Sequence, residues 1–545
     1  MPRISGHQVA VRGSGFRKVY AHPAIRHLKA ELVLKPRDAE AALARVVQEG
    51  PLSQAEFHRR HGIPAQEAED LRQWLARKGL AVRQEGLVFL LEGSLRQFVE
   101  TFDMPFQVRD DGKRRHFAPV RDPELPEPFD AWVAGLVGVE NLTRARPFFR
   151  TPTAQQVPGF WPKDIERAYR FPPQLDGSGV TIGILEFSNG YSSEDLAAFW
   201  QQAGVEPPTV DFCSVDGTPN DGGQNPWDME ATLDVEWAGA LAPGARITVL
   251  EASAGSTDVA FGLSLLRAVR FALHHASPRP SVLSISYGDG ETRFASATMQ
   301  AWAALFFEGA MTGVTTFVAS GDTGAFGLQE PGRLIPHVDA PANCPWVVAV
   351  GGTHLVVGPD GAIAQETGWT DIDNNGASGG GISQVFMVPP YQSALRLPLR
   401  PGLKPGRGVP DVAANADPLT GYAIVFQSQV VPVGGTSVAA PVWAALLARV
   451  TQGRHLRGLP PLGYLHPALY TPPLIGPLHD IVQGNNSYWG VEGYHCQPGW
   501  DAVTGWGSPD GQALFQIWAH LPPDHDTTPA GPWPPASAEV AGDGD

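Results

Sequence analysis

The sequence predicts an α/β protein whose larger unit is a parallel sheet covered by helices on both faces, preceded by a small α+β unit. Short apolar strands alternate with amphipathic helices through the middle of the chain, which is typical of a parallel sheet buried on both sides. The chain has 545 residues, a length that suggests about two to four domains. Apolar residues are 43% and charged residues 18% of the sequence, so a large core can form.

The first unit, from about His27 to Phe106, combines strands with helices. Its predicted strands are HLKAELVLKP and GLVFLLEG, and its predicted helices are DAEAALARVVQ, AEDLRQWLARKGLAV and SLRQFVETF. Two strand–helix passes favour a ferredoxin-like split βαβ unit, although any small α+β domain would give a similar pattern. From about Asp110 to Pro158, many prolines and charges predict an irregular connector.

The larger unit begins near Phe160. Its predicted strands are GVTIGILEF, ARITVLEA, SVLSISYG, VTTFVASG and WVVAVGG, and the helices between them are SEDLAAFWQQAG, DMEATLDVEWAGALA, STDVAFGLSLLRAVRFALHH and TMQAWAALFFEGAMTG. The last stretch, residues 521–545, is rich in proline and acidic residues and has no Lys or Arg. This composition predicts a disordered acidic tail.

Charge and composition exclude several classes of protein. With 40 Lys and Arg against 56 Asp and Glu, the net charge of −16 argues against a nucleic-acid binder that works through a basic field. No apolar run is long enough to predict a membrane span, and no apolar segment follows the basic N-terminus as in a secretion signal. The three cysteines, Cys213, Cys344 and Cys496, are too few for a disulfide framework.

The strongest local signal is the run VGGTSVAAPVWAALLARV, where Ser437 lies between a Gly-Gly turn and an apolar helix. This position puts a hydroxyl at a helix N-terminus, where the dipole favours developing negative charge. Pro441 falls in the first turn, where proline is tolerated. An ordinary N-cap is the alternative interpretation. A serine nucleophile also needs a base, yet none of the 16 histidines lies in an H-G-T context.

Carboxyl groups are the other candidates for that base. Glu230 and Asp234 are four residues apart in WDMEATLDVEWAGALAPGA and therefore share one helical face, which continues into the apolar Ala238 and Leu241. Two carboxylates on a part-buried face share protons, and the pair can act as a base when one member is ionised. A solvated acidic face is the alternative.

A third candidate, Asp322, follows a predicted strand on the Gly-rich turn of TFVASGDTGAFG. Many aspartates in such positions only shape the turn. If Asp322 faces the serine, it could donate a hydrogen bond to an oxyanion, but only while it is protonated.

Three motifs together resemble the sedolisin, or serine-carboxyl peptidase, family, and its kumamolisin-like members most of all. They are E-A-T-L-D at residues 230–234, S-G-D-T-G around Asp322 and G-G-T-S-V-A-A-P around Ser437. The resemblance runs from about Phe160 to Ala519 and implies a subtilisin-like fold. It also implies that Ser437 is the nucleophile, Glu230 the general base and acid, Asp234 its orienting partner and Asp322 the oxyanion contact.

The resemblance implies further site residues. Glu186 in ILEFSNGY would extend the carboxylate chain, and Tyr287 stands where kumamolisin-like members have Trp in an S-I-S-W-G motif. A phenol can still donate a hydrogen bond there. Asp339 in HVDAPANCP is a candidate contact for substrate side chains and would favour basic groups.

One Ca²⁺ ion is also implied by the resemblance. The family binds it through two Asp carboxylates and backbone oxygens, which gives Asp480, Ile481 (backbone), Gln497 (backbone), Gly499 (backbone) and Asp501 here. Hard oxygen ligands without clustered His or Cys favour calcium over zinc. Each aspartate alone could instead be a turn residue, and Gln497 replaces a Gly of the kumamolisin pattern.

By the same resemblance, residues 1–150 are an activation prodomain and connector, and residues 151–520 are the peptidase domain. Cleavage between them would fall around Arg150 to Gln156. The expected partners are protein or peptide substrates and the chain's own prodomain, with no nucleic acid and no membrane. A monomeric, extracellular enzyme is expected.

The predicted function is an acid-acting endopeptidase that forms an acyl-enzyme on Ser437. A carboxylate base and a neutral carboxylic acid must coexist, so activity is expected on the order of pH 3–5. A catalytically silent, peptide-binding relative and an ordinary subtilase with a His base are the alternatives. Residues 376–380 also match the G-x-S-x-G elbow of esterases, but their polar and extended flanks favour a glycine-rich cleft wall.

Overall fold

The computed structural model describes residues 2–8, 17–21, 25, 27–110, 115–152, 158–255, 259–326, 328–330, 333–334, 336–371, 376–471 and 478–521. Apart from Leu521, the tail predicted to be disordered lies outside these residues. Within them, no helix combines the length and the apolar character that crossing a membrane requires.

The N-terminal unit contains a four-stranded antiparallel sheet. In sheet order its strands are Ala81–Glu85, Val88–Gly93, Leu28–Leu34 and Val133–Val137. Its helices are Ala39–Glu49, Gln54–His61, Ala65–Arg77, Leu95–Phe102 and Phe129–Trp132. The chain thus runs strand, helices, strand, strand, helix, strand, which is the element order of the predicted ferredoxin-like split βαβ unit.

The segment predicted to be an irregular connector contains regular structure, so that prediction was wrong over part of its length. Phe106–Asp110 and Arg115–Pro119 pair with Arg17–Val19 in a small second sheet. Val133–Val137 completes the main sheet of the unit and is buried on both faces. A strand buried on both faces has no alternating pattern, and Gly135 packs so close to helix Ser296–Met311 that a Cβ would lie 2.2 Å from the Ala297 carbonyl.

The larger unit is built on one long sheet that is parallel except at one strand. From one edge the parallel strands are Thr209–Ser214, Arg246–Ala252, Thr181–Phe187, Val282–Ile285, Thr315–Ala319, Val348–Val357 and Val412–Asn415. Ile363–Gly368 pairs antiparallel with Val348–Val357. The five predicted strands are confirmed. The sequence did not reveal Thr209–Ser214, whose residues are mostly half-exposed, or the four-residue Val412–Asn415.

Helices cover both faces of this sheet, as predicted. Three of them, Ser193–Ala203, Met229–Leu241 and Thr436–His455, share a core with one face, and Phe261–His274 and Ser296–Met311 share a core with the other. Strand side chains alternate between the two cores, so that Ile184 faces one and Leu185 the other. The N-terminal unit packs on the second face, where its Val137 joins the core of Phe307.

The remaining elements are short. The strand pairs are Asp289–Gly290 with Asp339–Ala340, Leu328–Glu330 with Arg333–Leu334, Thr370–Asp371 with Gly376–Ala377, Gly381–Ile382 with Gly408–Val409, Tyr422–Phe426 with Gln429–Val433, and Leu478–His479 with Ser508–Pro509. Pro162–Ala168, His466–Tyr470 and Gly511–Trp518 are α-helical, and Pro226–Asp228, Glu291–Arg293, Pro390–Gln392 and Pro418–Thr420 are 3₁₀ turns.

The strand order reverses beside Thr181–Phe187, the first strand of the large sheet. One of its neighbours, Arg246–Ala252, leads to the edge, and the other, Val282–Ile285, leads into the long run of later strands. Open α/β sheets bind ligands at the carboxyl ends of strands at such a switch point. Glu186 lies at the carboxyl end of Thr181–Phe187, and Ser286 directly follows Val282–Ile285.

Candidate active site

The helix Met229–Leu241 carries Glu230 and Asp234 into the core. Every residue from Glu230 to Leu241 is buried, and both carboxyl groups have no exposed surface. The interpretation of this helix as a solvated acidic face is therefore wrong. Two acidic groups that repel each other at this spacing cost stability, so their burial calls for a chemical reason.

Ser286 connects this helix to the nucleophile candidate. Its hydroxyl lies 2.8 Å from Asp234 Oδ2 and 3.2 Å from the backbone oxygen of Ser437. The hydroxyl of Ser437 in turn donates to the backbone oxygen of Ser286 at 3.4 Å. Ser437 and Asp234 thus meet around one residue at the end of a central strand.

The acidic chain extends beyond Asp234. The carboxyl of Glu186 lies in hydrogen-bond contact with that of Asp234, and the phenol of Tyr287 donates to Glu186 Oε2 at 2.5 Å. The side-chain amide of Asn189 donates to the same phenol. Tyr287 therefore supplies a donor to the outer end of the chain, at the position where the resemblance implies Trp.

Burial raises the pKa of Glu186, Glu230 and Asp234 well above the usual carboxyl range. Neighbouring acidic groups add to the effect at Glu186 and Glu230. The hydroxyls of Ser437 and Ser286 act in the opposite direction on Glu230, because a nearby donor favours the charged form. No described residue makes a hydrogen bond of normal geometry to either oxygen of Glu230, which leaves that carboxyl free to take a proton.

Ser437 lies in the first turn of helix Thr436–His455, which begins directly after Gly435. Gly435 has φ +105°, and a Cβ there would lie 2.2 Å from the carbonyl oxygen of Phe148 and 2.7 Å from Asp322 Oδ2. A side chain at Gly435 would therefore block the contact between this helix end, Asp322 and the segment around Phe148. Glycine at this position thus lets the chain's own backbone at Phe148 lie close to the start of the helix.

Asp322 is held beside the same helix end. Its Oδ1 accepts hydrogen bonds from the backbone nitrogen and the hydroxyl of Thr436, both at 2.8 Å. Its Oδ2 lies 3.6 Å from Arg150 Nε. Burial raises the pKa of Asp322 to about 6, although the Arg150 cation opposes this shift.

The segment from Arg144 to Arg150 crosses this site without forming a regular strand, and isolated bridges join Pro147 to Tyr287 and Arg150 to Gly434. Its backbone is bound at four residues: Ala145 N donates to Ala254 O at 2.8 Å, Gly288 N to Arg146 O at 3.1 Å, Phe148 N to Ser286 O at 3.1 Å, and Arg150 N to Gly434 O at 2.9 Å. The decisive contact comes from Ser437, whose backbone nitrogen donates to the Phe148 carbonyl oxygen at 3.0 Å. That carbonyl thus lies between the amide of Ser437 and the carboxyl of Asp322.

Comparisons with known proteins agree with this geometry. Residues 222–461 match the peptidase S8, or subtilase, family. Kumamolisin of Bacillus sp. (strain MN-32) is 37% identical, and the match covers 85% of this chain and 85% of that protein. The chain belongs to the sedolisin family.

Other relatives place the chain within the same family. Sedolisin of Pseudomonas sp. (strain 101) is 28% identical over 78% of this chain and 73% of that protein, and tripeptidyl-peptidase 1 of Bos taurus is 34% identical over 74% and 72%. A solved structure of Pseudomonas sedolisin, described as a serine-carboxyl proteinase, has a TM-score of 0.57 at 28% identity and covers 67% of this chain and 98% of that one. The predicted family and subtilisin-like fold are confirmed, and the chain is a member of a family of serine peptidases.

In this sedolisin-family chain, Asp339 is buried beside the cleft. A Cβ on Gly321 would lie 1.9 Å from its Oδ2, so the carboxyl packs directly against the turn that carries Asp322. Burial raises its pKa, and nearby acidic groups add to the shift. Arg146 of the crossing segment is paired with another carboxylate, because its Nε lies 3.1 Å from Asp289. The role predicted for Asp339 in substrate selection stays a prediction.

The residues implied for calcium come together at one turn. Asp480 Oδ2 accepts from Gly499 N at 2.9 Å, and Asp501 Oδ2 accepts from Gln497 N at 3.1 Å. The carbonyl oxygens of Ile481, Gln497 and Gly499 accept no hydrogen bond from any described residue. Two carboxylates and three free carbonyls in one place are hard oxygen ligands of the type that calcium prefers, so the residues present fit the ion.

Ser378 of the G-x-S-x-G match is structural. Its hydroxyl donates to Val503 O at 2.6 Å and accepts from Gly352 N at 2.9 Å. A short strand, Gly381–Ile382, follows it instead of a helix. A Cβ on Gly379 would lie 2.1 Å from the Ser320 carbonyl, so the run packs against the strand end next to Asp322.

Sequence reasoning missed three contributors to the site. Ser286 and Thr436 hold Asp234 and Asp322 through their hydroxyls, and Asn189 holds Tyr287. A signal was available for Ser286, because a polar residue directly after a buried central strand lies at the edge where α/β sheets bind ligands. For Thr436 and Asn189, the contacts join residues roughly a hundred positions apart, and no local pattern reveals them.

Proposed function

We propose that this protein is an acid-acting serine-carboxyl endopeptidase that forms an acyl-enzyme on Ser437. The observation that carries the proposal is the position of the Phe148 carbonyl oxygen. It accepts a hydrogen bond from the backbone N–H of Ser437 and lies beside Asp322. A peptide carbonyl held by an amide donor and a potential acid donor is poised for oxyanion formation.

In the proposed reaction, Ser437 Oγ attacks the carbonyl carbon of the bound peptide while Glu230, in its ionised form, takes the hydroxyl proton. A rotation about χ1 would move that hydroxyl from the Ser286 carbonyl toward Glu230. The tetrahedral intermediate then loses its C–N bond, and Glu230 returns the proton to the leaving amine. Water repeats the attack on the acyl-serine, with Glu230 again as base and then as acid.

Asp234 and Glu186 would influence the charge of Glu230, because the three buried carboxyl groups form one acidic chain. Among the described residues, no basic side chain is hydrogen-bonded to these three carboxyls, so hydroxyl donors stabilise whatever negative charge they share. The donors are Ser286 at Asp234 and Tyr287 at Glu186. Such a chain can pass a proton along its length when Glu230 changes charge.

Asp322 would supply the second oxyanion donor. Its Oδ1 is occupied by the two donors of Thr436, so a proton would reside on Oδ2, the oxygen that faces Gly435 and the Phe148 carbonyl. Because its pKa is about 6, Asp322 is protonated in acid and ionised at neutral pH. The acid optimum predicted from sequence follows from this requirement.

The cleft geometry favours an endopeptidase over a tripeptidyl exopeptidase. Both kumamolisin and tripeptidyl-peptidase 1 are similar to this chain. With the bond after Phe148 at the nucleophile, the three residues Arg146, Pro147 and Phe148 would make up a tripeptide. Two further residues are also bound: Ala145 N lies 2.8 Å from Ala254 O, and an Arg144 side-chain nitrogen lies 3.3 Å from Gly255 O. A cleft that binds residues before the tripeptide accepts bonds inside a chain.

The same segment supports self-activation of a precursor. The N-terminal unit would be the prodomain, and the bond nearest Ser437 is Phe148–Phe149. This bond lies just before the range expected from sequence and close to the proposed boundary between residues 1–150 and 151–520. The ring of Phe148 packs on Gly288, where a Cβ would lie 2.9 Å from the ring, so an aromatic residue fits on the acyl side of the bond.

Calcium would be held by Asp480 and Asp501 together with the carbonyls of Ile481, Gln497 and Gly499. Bound there, it would supply the positive charge that two neighbouring carboxylates lack. A monomeric, extracellular enzyme that acts on protein or peptide substrates is part of the proposal and rests on the family resemblance.

The proposal is tested by incubating the purified precursor at about pH 4 and at pH 7 and measuring fragment masses. We expect fragments that end at Phe148 and begin at Phe149, formed much faster in acid. A blocked peptide substrate should then be cut internally by the matured enzyme. A precursor that stays intact in acid and cuts no peptide would instead indicate a catalytically silent, peptide-binding relative.

A further inference from the structure

A second cluster of side chains that could bind a metal ion lies where the N-terminal unit meets the larger unit. It shares no residue with the candidate active site. His58 belongs to helix Gln54–His61 of the N-terminal unit, His274 ends helix Phe261–His274, and Glu308 lies in helix Ser296–Met311. Their ligand atoms all lie within 4.8 Å of one another. One side chain of the N-terminal unit and two of the catalytic unit thus converge on one point.

The spacing of these atoms fits a metal ion. Glu308 Oε1 lies 2.8 Å from His58 Nε2 and 3.1 Å from His274 Nε2. Ligands about 2.0 Å from a tetrahedral zinc ion lie roughly 3.3 Å from one another, so small side-chain movements would bring the three atoms into place. The two imidazoles are stacked with centroids 5.4 Å apart, and both direct the same nitrogen at the carboxylate.

The surroundings leave the cluster available. Glu308 is completely buried, and its Oε2 has no hydrogen-bond partner among the described residues. His274 Nε2 contacts the other oxygen, Oε1, as an ion pair. The nearby Arg279 donates to the carbonyls of Leu273 and Thr312 instead of to Glu308. His58 is 28% exposed, so water can reach the site and supply a fourth ligand.

Gly86 keeps space open beside both rings. It lies in the turn between strands Ala81–Glu85 and Val88–Gly93, with φ +57°, and a Cβ there would lie 2.9 Å from His58 Nε2 and 3.0 Å from His274 Cε1. Glycine at this turn therefore leaves the approach to the ligand atoms free of side-chain atoms.

We propose that His58, His274 and Glu308 bind a zinc ion that joins the N-terminal unit to the catalytic unit. Two neutral imidazoles and one carboxylate form a three-ligand set that zinc accepts with water in the fourth position. The same set offers calcium only one hard ligand, so this site and the proposed calcium turn differ in metal. When the N-terminal unit leaves, the site loses His58 and keeps two ligands.

The test uses the full-length Ser437→Ala chain, which keeps both units joined. At about pH 7.5, we expect isothermal titration to show one equivalent of zinc bound and calorimetry to show a higher Tm. Substituting cobalt should give the visible absorption of a tetrahedral site with nitrogen and oxygen ligands. Absence of zinc binding or of that spectrum in this protein would overturn the proposal.

A pair of variants separates this site from adventitious histidine binding. Loss of even an outer partner weakens metal affinity by roughly 10- to 100-fold, so His58→Ala should weaken zinc binding by at least about 100-fold and abolish the rise in Tm. His27→Ala is the matched control, because His27 lies in the same unit and is 79% exposed. Equal zinc affinity in the two variants would contradict the assignment. The cobalt spectrum of the Ser437→Ala chain decides the question if His58→Ala does not fold.

Discussion

The backbone nitrogen of Ser437 donates a hydrogen bond to the carbonyl oxygen of Phe148 at 3.0 Å. The chain thereby presents one of its own peptide bonds to its candidate nucleophile. Residues on both sides of that bond are fixed by further backbone hydrogen bonds, so the segment lies where a substrate would lie.

The first prediction concerns the two serines that sequence motifs single out. Ser437→Ala should abolish self-cleavage and peptide hydrolysis, because no hydroxyl remains to form the acyl-enzyme. Ser378→Ala should retain both activities and lose about 1–3 kcal/mol of stability, since it leaves buried backbone groups without a partner. Fragment masses after acid incubation and calorimetry measure the two effects. Cleavage by Ser437→Ala would place the nucleophile elsewhere.

The second prediction concerns Arg150, whose cation lies 3.6 Å from Asp322 and lowers its pKa in the precursor. In Arg150→Gln the pKa of Asp322 should rise, so the protonated acid persists at higher pH. Self-cleavage should then extend toward neutral pH, with little change in strong acid where Asp322 is protonated in both proteins. The measurement is the initial rate of cleavage across a pH series.

Arg144→Gln is the matched control for that series, because Arg144 lies in the same crossing segment and contacts Gly255. Its pH midpoint should match that of the unaltered precursor, whatever its absolute rate. An identical midpoint in Arg150→Gln would show that Asp322 does not set the neutral limb of the profile.

The third prediction concerns Tyr287, which donates to Glu186 at 2.5 Å. Tyr287→Phe removes a donor that stabilises Glu186 whenever the acidic chain places its negative charge there, so kcat should fall by roughly 10- to 100-fold. KM should change little, since the phenol is hydrogen-bonded to Glu186 and Asn189, and the bridge of Tyr287 to Pro147 of the crossing segment is made by backbone that the substitution keeps. Tyr494→Phe is the control, because its buried hydroxyl has no partner among the described residues. Equal kcat in the two variants would remove Tyr287 from the proton chain.

The fourth prediction concerns stability and pH. Burial raises the pKa of Glu230 above the usual value near 4.3, so folding favours its protonated form. The corresponding stability is fully present below about pH 4 and is lost as pH rises through the raised pKa. In an inactive Ser437→Ala background, Glu230 should therefore contribute a loss of Tm between pH 4 and pH 8, and the added substitution Glu230→Gln should remove this contribution to the pH dependence.

Groups with lowered pKa act in the opposite direction but are the same in both proteins. The pKa is lowered to about 2 for Asp411 and Glu308 and to about 4 for His7 and His337, so these groups favour folding more as pH rises. The difference between the two Tm curves therefore isolates the contribution of Glu230. Parallel Tm curves for the two proteins would mean that Glu230 does not have a raised pKa in the folded state.

The fifth prediction concerns calcium. In zinc-free buffer, calcium should raise the Tm of the Ser437→Ala protein. At a free calcium concentration one hundred times Kd, the free energy of unfolding should increase by about 2.7 kcal/mol. Asp501→Asn should lose most of this gain, because the amide keeps the shape but removes a charged ligand. Magnesium at the same concentration is the control, since it prefers a smaller octahedral site and should have little effect. A Tm that ignores calcium would count against the site.

Local sequence patterns were sufficient for most of the large sheet and for the main members of the site. Alternating apolar strands and helices predicted five of its central strands, because buried parallel strands must be apolar along their length. The i,i+4 spacing put Glu230 and Asp234 on one helical face, and the Gly-Gly-Thr-Ser run put Ser437 at a helix start. Residue types and their spacing along the chain specify these features directly.

Tertiary structure decided what lies between these motifs. The burial of the whole helix Met229–Leu241, the donors Ser286 and Thr436, and the course of the segment through Phe148 depend on contacts between residues far apart in sequence. The same is true of the cluster of His58, His274 and Glu308, whose members come from three helices. Hydrogen bonds and packing at such separations follow from the way the units fold together, and no stretch of sequence contains that information alone.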